Sequence, residues 1–164
     1  MNNYVSVILP THNEEKNIIP IIQEIAEKND KNNLEIIIVD DNSTDNTENL
    51  VREFSKKDSR VRLISRIDRF GLSSAIKEGC INARGDIIAV MDSDGQHEVR
   101  SLVSALDYIS KNNEDMVIGS RFLKRSSIEG LSKNRKGSST IANKIARKSL
   151  SNNYKNLTDY LSGF

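Results

Sequence analysis

The sequence predicts an α/β fold in which helices cover both faces of a mostly parallel central sheet. Short runs rich in Val and Ile alternate five times with segments of helical periodicity. That alternation is typical of parallel sheets, because parallel strands need a long, usually helical, connection between them. Acidic residues directly follow two of the runs, and ligands of such sheets bind at the carboxyl ends of the strands.

The composition is that of one soluble domain. The chain has 164 residues, of which 37% are hydrophobic and 29% charged, so a single domain over 1–164 can bury a core of its own. A lone cysteine, Cys80, excludes an internal disulfide framework and indicates a reducing compartment. There is no signal-peptide pattern, and no apolar run approaches the roughly 20 residues of a membrane span. We therefore expect a cytoplasmic location.

The first half of the chain predicts three strands and two helices. The strands lie at 4–9, 34–39 and 61–65, where aliphatic residues recur. The first helix has an apolar stripe that begins after Asn17, a residue type that caps helices well. Asp45 is the expected cap of the second helix.

The second half predicts two more strands, at 87–91 and 116–119. The run at 87–91 is apolar throughout, so we expect a central strand that is buried on both faces. Helices are expected at 99–110 and, after a polar loop at 123–137, at 138–150. The helix before the central strand has an inner face of small and apolar residues, which predicts close packing on the sheet: Leu72, Ala75, Ile76, Gly79 and Ala83.

Two carboxylates end the central strand, in Asp92-Ser93-Asp94. Residues two apart in a strand point the same way, so both side chains can be directed at one point. Close carboxylates repel each other unless a cation lies between them, and Mg²⁺ or Mn²⁺ prefers such oxygen ligands. The segment is therefore a candidate metal and diphosphate anchor. A solvated acidic turn is the alternative.

Other patterns limit the choice of function. The first strand-to-helix turn lacks G-x-G-x-x-G, and G-x-x-x-x-G-K-[ST] is also absent, which argues against a Rossmann dinucleotide site and a P-loop NTPase. Residues 121–155 contain ten Lys or Arg against one acid, Glu129. This basic segment favours anionic partners, although a solvated helix face and loop would also explain part of the charge.

Several motifs, taken in order, resemble those of family-2 glycosyltransferases. They are Pro10-Thr11-His12-Asn13-Glu14, Ile38-Val39-Asp40-Asp41-Asn42-Ser43-Thr44-Asp45, Asp92-Ser93-Asp94-Gly95-Gln96-His97, Gly119-Ser120-Arg121 and Asp159-Tyr160-Leu161-Ser162-Gly163-Phe164. The Gln-His after the acid pair, the Gly-Ser-Arg and the final motif resemble the branch of dolichol-phosphate (polyprenyl-phosphate) mannosyl- and glucosyltransferases. Members of that branch usually continue into further helices, so the chain is expected to be truncated at its C-terminus.

The resemblance implies a GT-A fold, a nucleotide-sugar donor and a divalent metal, Mg²⁺ or Mn²⁺. The candidate donor-binding residues are those that the resemblance implies and their neighbours in the same loops. They are Pro10, His12, Glu14, Val39, Asp40, Asp41, Gly71, Asp92, Ser93 and Ser139. The implied metal ligands are Asp92, Asp94 and Gln96, and the candidate catalytic residues are Asp94, Arg121, Arg135 and Asp159. Asp40 either contacts the nucleotide or orients the loop of Asp41.

The implied chemistry suits these residue types. A sugar is transferred as the nucleoside diphosphate leaves, and a metal and arginines stabilise the negative charge that develops there. An acceptor phosphate is ionised near pH 7 and needs no strong base, whereas a hydroxyl acceptor would need one. Asp159 is the candidate base or acceptor-orienting group, and a capping or lysine-pairing role is equally open.

Three positions depart from the family pattern. His12 replaces the usual Tyr, which weakens the expected base stacking. Gly95 replaces a Leu, and Glu98-Val99-Arg100 replaces a Pro-rich helix start, so the loop after the acid pair is expected to be more mobile.

The resemblance implies an inverting transferase with a polyprenyl or dolichyl phosphate as acceptor. Residues 1–120 would bind nucleotide and metal, and 121–164 would face the lipid phosphate at the cytoplasmic membrane surface, with no nucleic acid among the partners. The alternatives are a family-2 enzyme with a hydroxyl acceptor in polysaccharide or glycan synthesis, and a nucleotide-binding fragment without turnover. A nucleotidyltransferase is disfavoured, since its Gly-rich first loop is absent.

Overall fold

A computed structural model of the chain describes residues 3–29, 33–68, 71–95, 98–112 and 114–119. The chain divides into two compact units, Met1–Asp115 and Met116–Phe164, and all helices and strands described here belong to the first. In chain order they are β1 (Val5–Thr11), α1 (Ile18–Lys28), β2 (Leu34–Asp40), α2 (Thr47–Ser55), β3 (Val61–Ser65), α3 (Leu72–Asn82), β4 (Ile87–Val90) and α4 (Val99–Lys111).

The four strands form one parallel sheet in the order β3-β2-β1-β4. Thr11 lies opposite Asp40 in the β1–β2 ladder, and Ile8 lies opposite Val90 in the β1–β4 ladder. The carboxyl ends of β1, β2 and β4 therefore meet at the same edge of the sheet. This edge carries the acidic residues that the sequence singles out.

Helices cover both faces of the sheet, because successive strand residues point to opposite sides. On one face, alternate residues of β1 and β2 form a core with α1, α2 and α4: Val7, Leu9, Ile36, Ile38, Ile22, Val51 and Leu102. On the other face, Ile8, Ile37 and Val39 pack with Ala75 of α3. Right-handed crossovers require this division, since β4 lies on the opposite side of β1 from β2. The predicted α/β class is confirmed.

Helix α3 packs closely on β1, as its small residues predict. A Cβ atom on Gly79 would lie 2.4 Å from Cγ2 of Ile8, so the helix approaches the strand as closely as it does only because this residue is glycine. Ala75 is also buried. Leu72 does not belong to the inner face, because 56% of it is exposed at the start of the helix.

The sequence prediction for β4 is wrong in its burial. Ile88 is 46% exposed, and no residue of the strand is fully buried. In the described part of the chain β4 is an edge strand that pairs with β1 alone, while α3 covers β1 and β2. Residues 116–119 are described as well and form no strand, so that prediction is also wrong.

The two predicted helix caps behave differently. Asp45 accepts a hydrogen bond from the Thr47 N–H at 3.0 Å, one residue before the geometric cap position Asn46. Asn17 occupies the cap position of α1 but makes no capping hydrogen bond through its side chain. Within the described residues no helix has the length and apolar character of a membrane span.

Candidate donor-binding site

The candidate site is built from three loops at the carboxyl edge of the sheet. Residues 12–17 follow β1 and residues 41–46 follow β2, and we call these two loops together the loop platform. Residues 92–95 follow β4 and are called the acidic segment. The N-terminus of α3, at Gly71, lies beside the second loop, because its N–H donates to Asp41.

Hydrogen bonds between backbone and side chains join the two loops of the platform. The side-chain oxygen of Asn13 accepts from the Thr44 N–H at 2.8 Å, and the Asn13 N–H donates to Ser43 Oγ at 2.8 Å. The Glu14 N–H donates to Thr47 Oγ1 at 2.8 Å. Asn13 has a φ of 59°, an uncommon conformation that the surrounding hydrogen bonds hold in place.

A reciprocal pair of contacts strengthens the platform. Asp45 Oδ2 accepts from the Glu15 N–H at 3.1 Å, and Glu15 Oε2 accepts from the Asn46 N–H at 3.2 Å. Burial alone would raise the pKa of Asp45, but hydrogen bonds from the Thr47 hydroxyl, the Thr47 N–H and the Glu15 N–H outweigh it and lower that pKa. The carboxylate form of Asp45 therefore holds the two loops together at neutral pH.

The adjacent acids at the end of β2 have different surroundings. Asp40 is buried and accepts hydrogen bonds from both the N–H, at 3.0 Å, and the hydroxyl of Ser43 in its own loop. These are the contacts of a residue that orients the loop, the second of the two roles that the sequence left open. The Asp41 N–H donates to the Thr11 carbonyl at 2.8 Å, which extends the pairing of β1 and β2 by one residue.

Asp41 forms a buried ion pair that the sequence analysis missed. Arg66 Nη1 lies 2.7 Å from Asp41 Oδ1, and the two side chains are 6% and 7% exposed. The second carboxylate oxygen accepts from the Gly71 N–H at 2.8 Å, and Arg66 Nη2 donates to Ser74 Oγ at 2.8 Å. Arg66 directly follows β3, and this position at the same sheet edge was the available signal.

The ring of His12 is fixed by contacts at both nitrogens. Nδ1 lies 3.1 Å from the Asp41 carbonyl oxygen, and Nε2 lies 3.3 Å from the side-chain nitrogen of Asn13. A carbonyl oxygen only accepts, and an amide nitrogen only donates, so Nδ1 carries the proton and Nε2 accepts. The half-buried ring is thereby held at the surface of the platform.

The acidic segment is joined to β1 and to the first loop. The buried Ser93 hydroxyl donates to the Pro10 carbonyl at 2.9 Å. The Asn17 side-chain nitrogen donates to the Asp94 carbonyl at 3.3 Å and to Glu14 Oε2 at 2.7 Å. Asp92 and Asp94 themselves are half-buried. The acidic segment thus lies beside the loop platform.

Residues 6–164 match the family model described as Glycosyl transferase family 2. The chain belongs to this family. It is 38% identical over 160 residues to the dolichol-phosphate mannosyltransferase of Pyrococcus furiosus, a match that covers 98% of this chain and 45% of the relative. It is 34% identical over 132 residues to a dolichyl-phosphate beta-glucosyltransferase of Dictyostelium discoideum, with 73% of this chain and 40% of the relative covered. The chain spans less than half the length of these relatives.

Several solved structures have a similar fold. A mannosyltransferase from Pyrobaculum calidifontis in complex with GDP-Man and Mn²⁺ matches with a TM-score of 0.59 and 28% identity, over 66% of this chain and 32% of that one. S. aureus TarS in complex with UDP-GlcNAc matches with a TM-score of 0.53 and 29% identity, over 67% of this chain and 32% of that one. The GT-A fold that the motifs imply is thereby confirmed.

The acidic segment of this family-2 chain suits a divalent metal bound together with a ligand. Among the described residues there is no group of three or more His, Cys, Asp or Glu side chains that could hold a metal ion alone. Two carboxylates fit Mg²⁺ or Mn²⁺, since Mg²⁺ is usually held by one or two carboxylates and completes its shell with water and phosphate oxygens. Asp92 and Asp94 are the described residues that would hold it.

The structure brings together many of the predicted site residues of this family-2 chain, but not all are described. Those that lie at the carboxyl edge are Pro10, His12, Glu14, Val39, Asp40, Asp41, Gly71, Asp92, Ser93 and Asp94. Pro10 and Val39 are buried partners in the β1–β2 ladder. Five predicted residues lie outside the described part of the chain: Gln96, Arg121, Arg135, Ser139 and Asp159.

Proposed function

We propose that this chain is the donor-binding part of an inverting, metal-dependent glycosyltransferase with a polyprenyl or dolichyl phosphate as acceptor. The observation that carries the proposal is the position of Asp92-Ser93-Asp94, which Ser93 ties to β1 beside the loop platform. Relatives named dolichol-phosphate mannosyltransferase and dolichyl-phosphate beta-glucosyltransferase support this acceptor class. They also favour a donor of the GDP-mannose or UDP-glucose type.

The loop platform is proposed to bind the nucleoside of the donor. The hydrogen bonds between its two loops support this role, because a site that is already ordered loses less conformational entropy when a ligand binds. The proposed contacts come from both loops, from the ends of β1 and β2, and from the start of α3: Pro10, His12, Glu14, Val39, Asp41 and Gly71. Asp40 is proposed to orient the second loop through Ser43. Since Asp41 is held by Arg66 and Gly71, its direction is set before the ligand arrives.

The acidic segment is proposed to bind the diphosphate, with Asp92, Asp94 and Gln96 as ligands of Mg²⁺ or Mn²⁺. Ser93 and Ser139 are proposed as further donor-binding residues. A bound metal would supply stabilisation of the negative charge that gathers on the leaving diphosphate. Arg121 and Arg135 are proposed to bind phosphate oxygens, for which the guanidinium fork is well suited. Asp159 is proposed to orient the acceptor or to act as a base.

The acceptor side is proposed to lie in residues 121–164. The ten basic residues between 121 and 155 support attraction to a lipid phosphate and to an anionic membrane surface. The proposed location is peripheral, at the cytoplasmic face. An acceptor phosphate is already ionised at neutral pH, so the acceptor oxygen can attack the sugar on the face opposite the leaving diphosphate without a strong base.

Calorimetric titration of GDP and UDP into the purified chain, with and without Mn²⁺, tests the donor site. We expect one nucleotide to bind, and to bind more tightly with the metal. If neither nucleotide showed metal-dependent binding, the proposal would be overturned. The preferred nucleotide then defines the sugar donor for a transfer assay, in which a short polyprenyl phosphate and a hydroxyl acceptor are compared. Transfer to the hydroxyl acceptor instead of the polyprenyl phosphate would overturn the acceptor assignment.

A further inference from the structure

The side-chain amide of Asn17 lies between two parts of the candidate site. Its nitrogen is 2.7 Å from the Glu14 carboxylate oxygen Oε2 and 3.3 Å from the carbonyl oxygen of Asp94. Both neighbours are pure acceptors, so the atom that faces them is the NH₂ group, which has two hydrogens to donate. One amide group therefore joins the first loop of the platform to the acidic segment.

Asn17 does not have the structural role that its sequence position suggests. It stands at the N-cap of α1 with φ −106° and ψ −32°, and its side chain makes no capping hydrogen bond. A capping asparagine uses its oxygen to accept a backbone N–H of the first turn. Here the donor end of the amide makes the contacts. One of them stays within the loop, at Glu14, and the other crosses to the acidic segment, at Asp94.

The acidic segment is thus held at two points. Ser93 binds the Pro10 carbonyl, and Asn17 binds the carbonyl of Asp94. The next residue, Gly95, has a φ of 75°, and a Cβ atom there would lie 3.5 Å from Asn17 Oδ1. The chain turns sharply immediately after the second carboxylate, against the side chain of Asn17.

We propose that Asn17 is a positioning residue that couples the nucleoside part of the donor site to its diphosphate and metal part. By binding Glu14 and the Asp94 backbone at once, it fixes the distance between the two parts, so a nucleotide held by the platform presents its diphosphate to correctly placed carboxylates. The inference rests on the proposed function. It adds a residue with no proposed contact to the donor itself.

The test is the factor by which Mn²⁺ tightens nucleotide binding, measured by titration calorimetry with the nucleotide that the chain prefers. That factor equals the one by which the nucleotide tightens Mn²⁺ binding, so either titration measures the coupling. In Asn17→Ala we expect the factor to fall about fivefold, on the scale of one or two lost hydrogen bonds. If Asn17 had only a structural role, its loss would weaken nucleotide binding equally with and without Mn²⁺. The factor would then be unchanged, and this result would overturn the proposal.

A matched control lies at the other end of the same helix. Asn29, the C-cap of α1, donates its side-chain amide to the Ile25 carbonyl at 2.8 Å. Asn29→Ala removes the same type of hydrogen bond away from the site, so it should leave the metal factor unchanged. An equal drop of the factor in both variants would mean that the effect comes from the stability of α1, and this result would also overturn the proposal.

A second substitution keeps the test decisive if Asn17→Ala does not fold. Asn17→Ser retains a residue type that suits the start of a helix, but its single hydroxyl hydrogen cannot be donated to both acceptors at once. We expect the same loss of coupling in this variant. Unfolding of both variants would make Asn17 a structural residue.

The two proposals fail in different ways. If the unsubstituted chain shows no metal-dependent nucleotide binding, the proposed function falls, and this inference falls with it. If the unsubstituted chain binds and Asn17→Ala binds with the same metal factor, the proposed function stands and the inference alone is wrong.

Discussion

At the scale of single residues, the candidate site combines two acids proposed to hold a metal, Asp92 and Asp94, with side chains such as Arg66 and Asn17 that hold other groups in place. Asp92 and Asp94 could be found because they follow an apolar run at a spacing of two. The site roles of Arg66 and Asn17 were missed, because their contacts with Asp41 and with Asp94 join residues that are 25 and 77 positions apart along the chain. Such contacts depend on strand order and on the path of loops, neither of which local periodicity encodes.

Asp92→Ala should abolish the metal-dependent part of nucleotide binding and leave the fold intact. Asp92 is half-buried at the edge of the sheet, so its loss opens no large cavity in the core. Titration with and without Mn²⁺ measures the first effect, and thermal unfolding measures the second. Asp107→Ala is the control, since Asp107 is an exposed carboxylate on α4 that pairs with Lys111. Metal-dependent affinity retained by Asp92→Ala would contradict the metal assignment.

Arg66→Ala should cost about 3 kcal/mol in the free energy of unfolding, because it removes a buried guanidinium that pairs with the buried Asp41 carboxylate. Arg66→Lys should recover little, since an ammonium group cannot reproduce the fork that reaches both Asp41 and Ser74. Urea unfolding curves measure both values. The exposed pair of Arg52 and Glu48 on α2 provides the control Arg52→Ala, for which about 0.5 kcal/mol is expected. Similar losses of unfolding free energy in Arg66→Ala and Arg52→Ala would show that the buried ion pair stabilises the protein no more than the exposed one.

At the scale of helices and strands, the periodicity of the sequence predicted most of the structure. The third strand has the predicted bounds. The first two strands end two residues and one residue later than predicted, at the site, and the first begins one residue later. One error concerns burial, at β4, and one concerns type, at 116–119. An unbroken apolar run such as 87–91 can belong to a central strand or to an edge strand, and the sequence pattern is the same in both cases. In the described sheet β4 is at the edge. Residues 116–119 lack the ladder that would make them a strand.

Gly79→Ala should destabilise the protein, although alanine is the better helix former by about 1 kcal/mol. The added methyl would lie 2.4 Å from Ile8 Cγ2, so α3 must move away from β1 or the strand must repack, at about 1–3 kcal/mol. Ser73→Ala, at an exposed position of the same helix, should be neutral or slightly stabilising. Urea unfolding distinguishes the two variants, and a more stable Gly79→Ala would mean that the helix does not pack as closely as described.

At the scale of the whole molecule, the two edges of the sheet have different tasks. The carboxyl edge carries the candidate site, and the opposite edge is closed by a polar network around Glu35, which is only 1% exposed. Glu35 accepts from Ser6 Oγ on β1 at 2.6 Å, from Arg62 Nη1 on β3 at 2.6 Å and from the Arg84 N–H at 2.7 Å. One carboxylate thus joins β1, β2, β3 and the approach to β4. Family resemblance draws attention to the first edge only, which is why the sequence analysis did not find the second.

This network should make the stability of the protein depend on pH in a defined direction. Burial alone would raise the pKa of Glu35, but the hydrogen bonds from Ser6, Arg62 and the Arg84 N–H outweigh it and lower that pKa. A carboxyl group whose pKa is lower in the folded state than in the unfolded state stabilises the folded protein. This contribution is fully present above the pKa of the unfolded state, about 4.3, and is lost as the pH falls through the pKa of the folded state. The unsubstituted protein should therefore lose stability in acid below about pH 4.3.

Glu35→Gln isolates that contribution. At pH 7 it should lower the free energy of unfolding by about 1–3 kcal/mol, because the buried partners lose a charged acceptor. The difference from the unsubstituted protein should narrow as the pH falls below about 4.3, where the native carboxylate itself becomes protonated. Urea unfolding at a series of pH values measures this convergence. Glu53→Gln, at an exposed carboxylate paired with Lys56, should give a curve that follows the unsubstituted protein throughout. If the difference in the free energy of unfolding between Glu35→Gln and the unsubstituted protein stayed constant down to pH 3, the shape of Glu35 rather than its charge would be the source of the stabilisation.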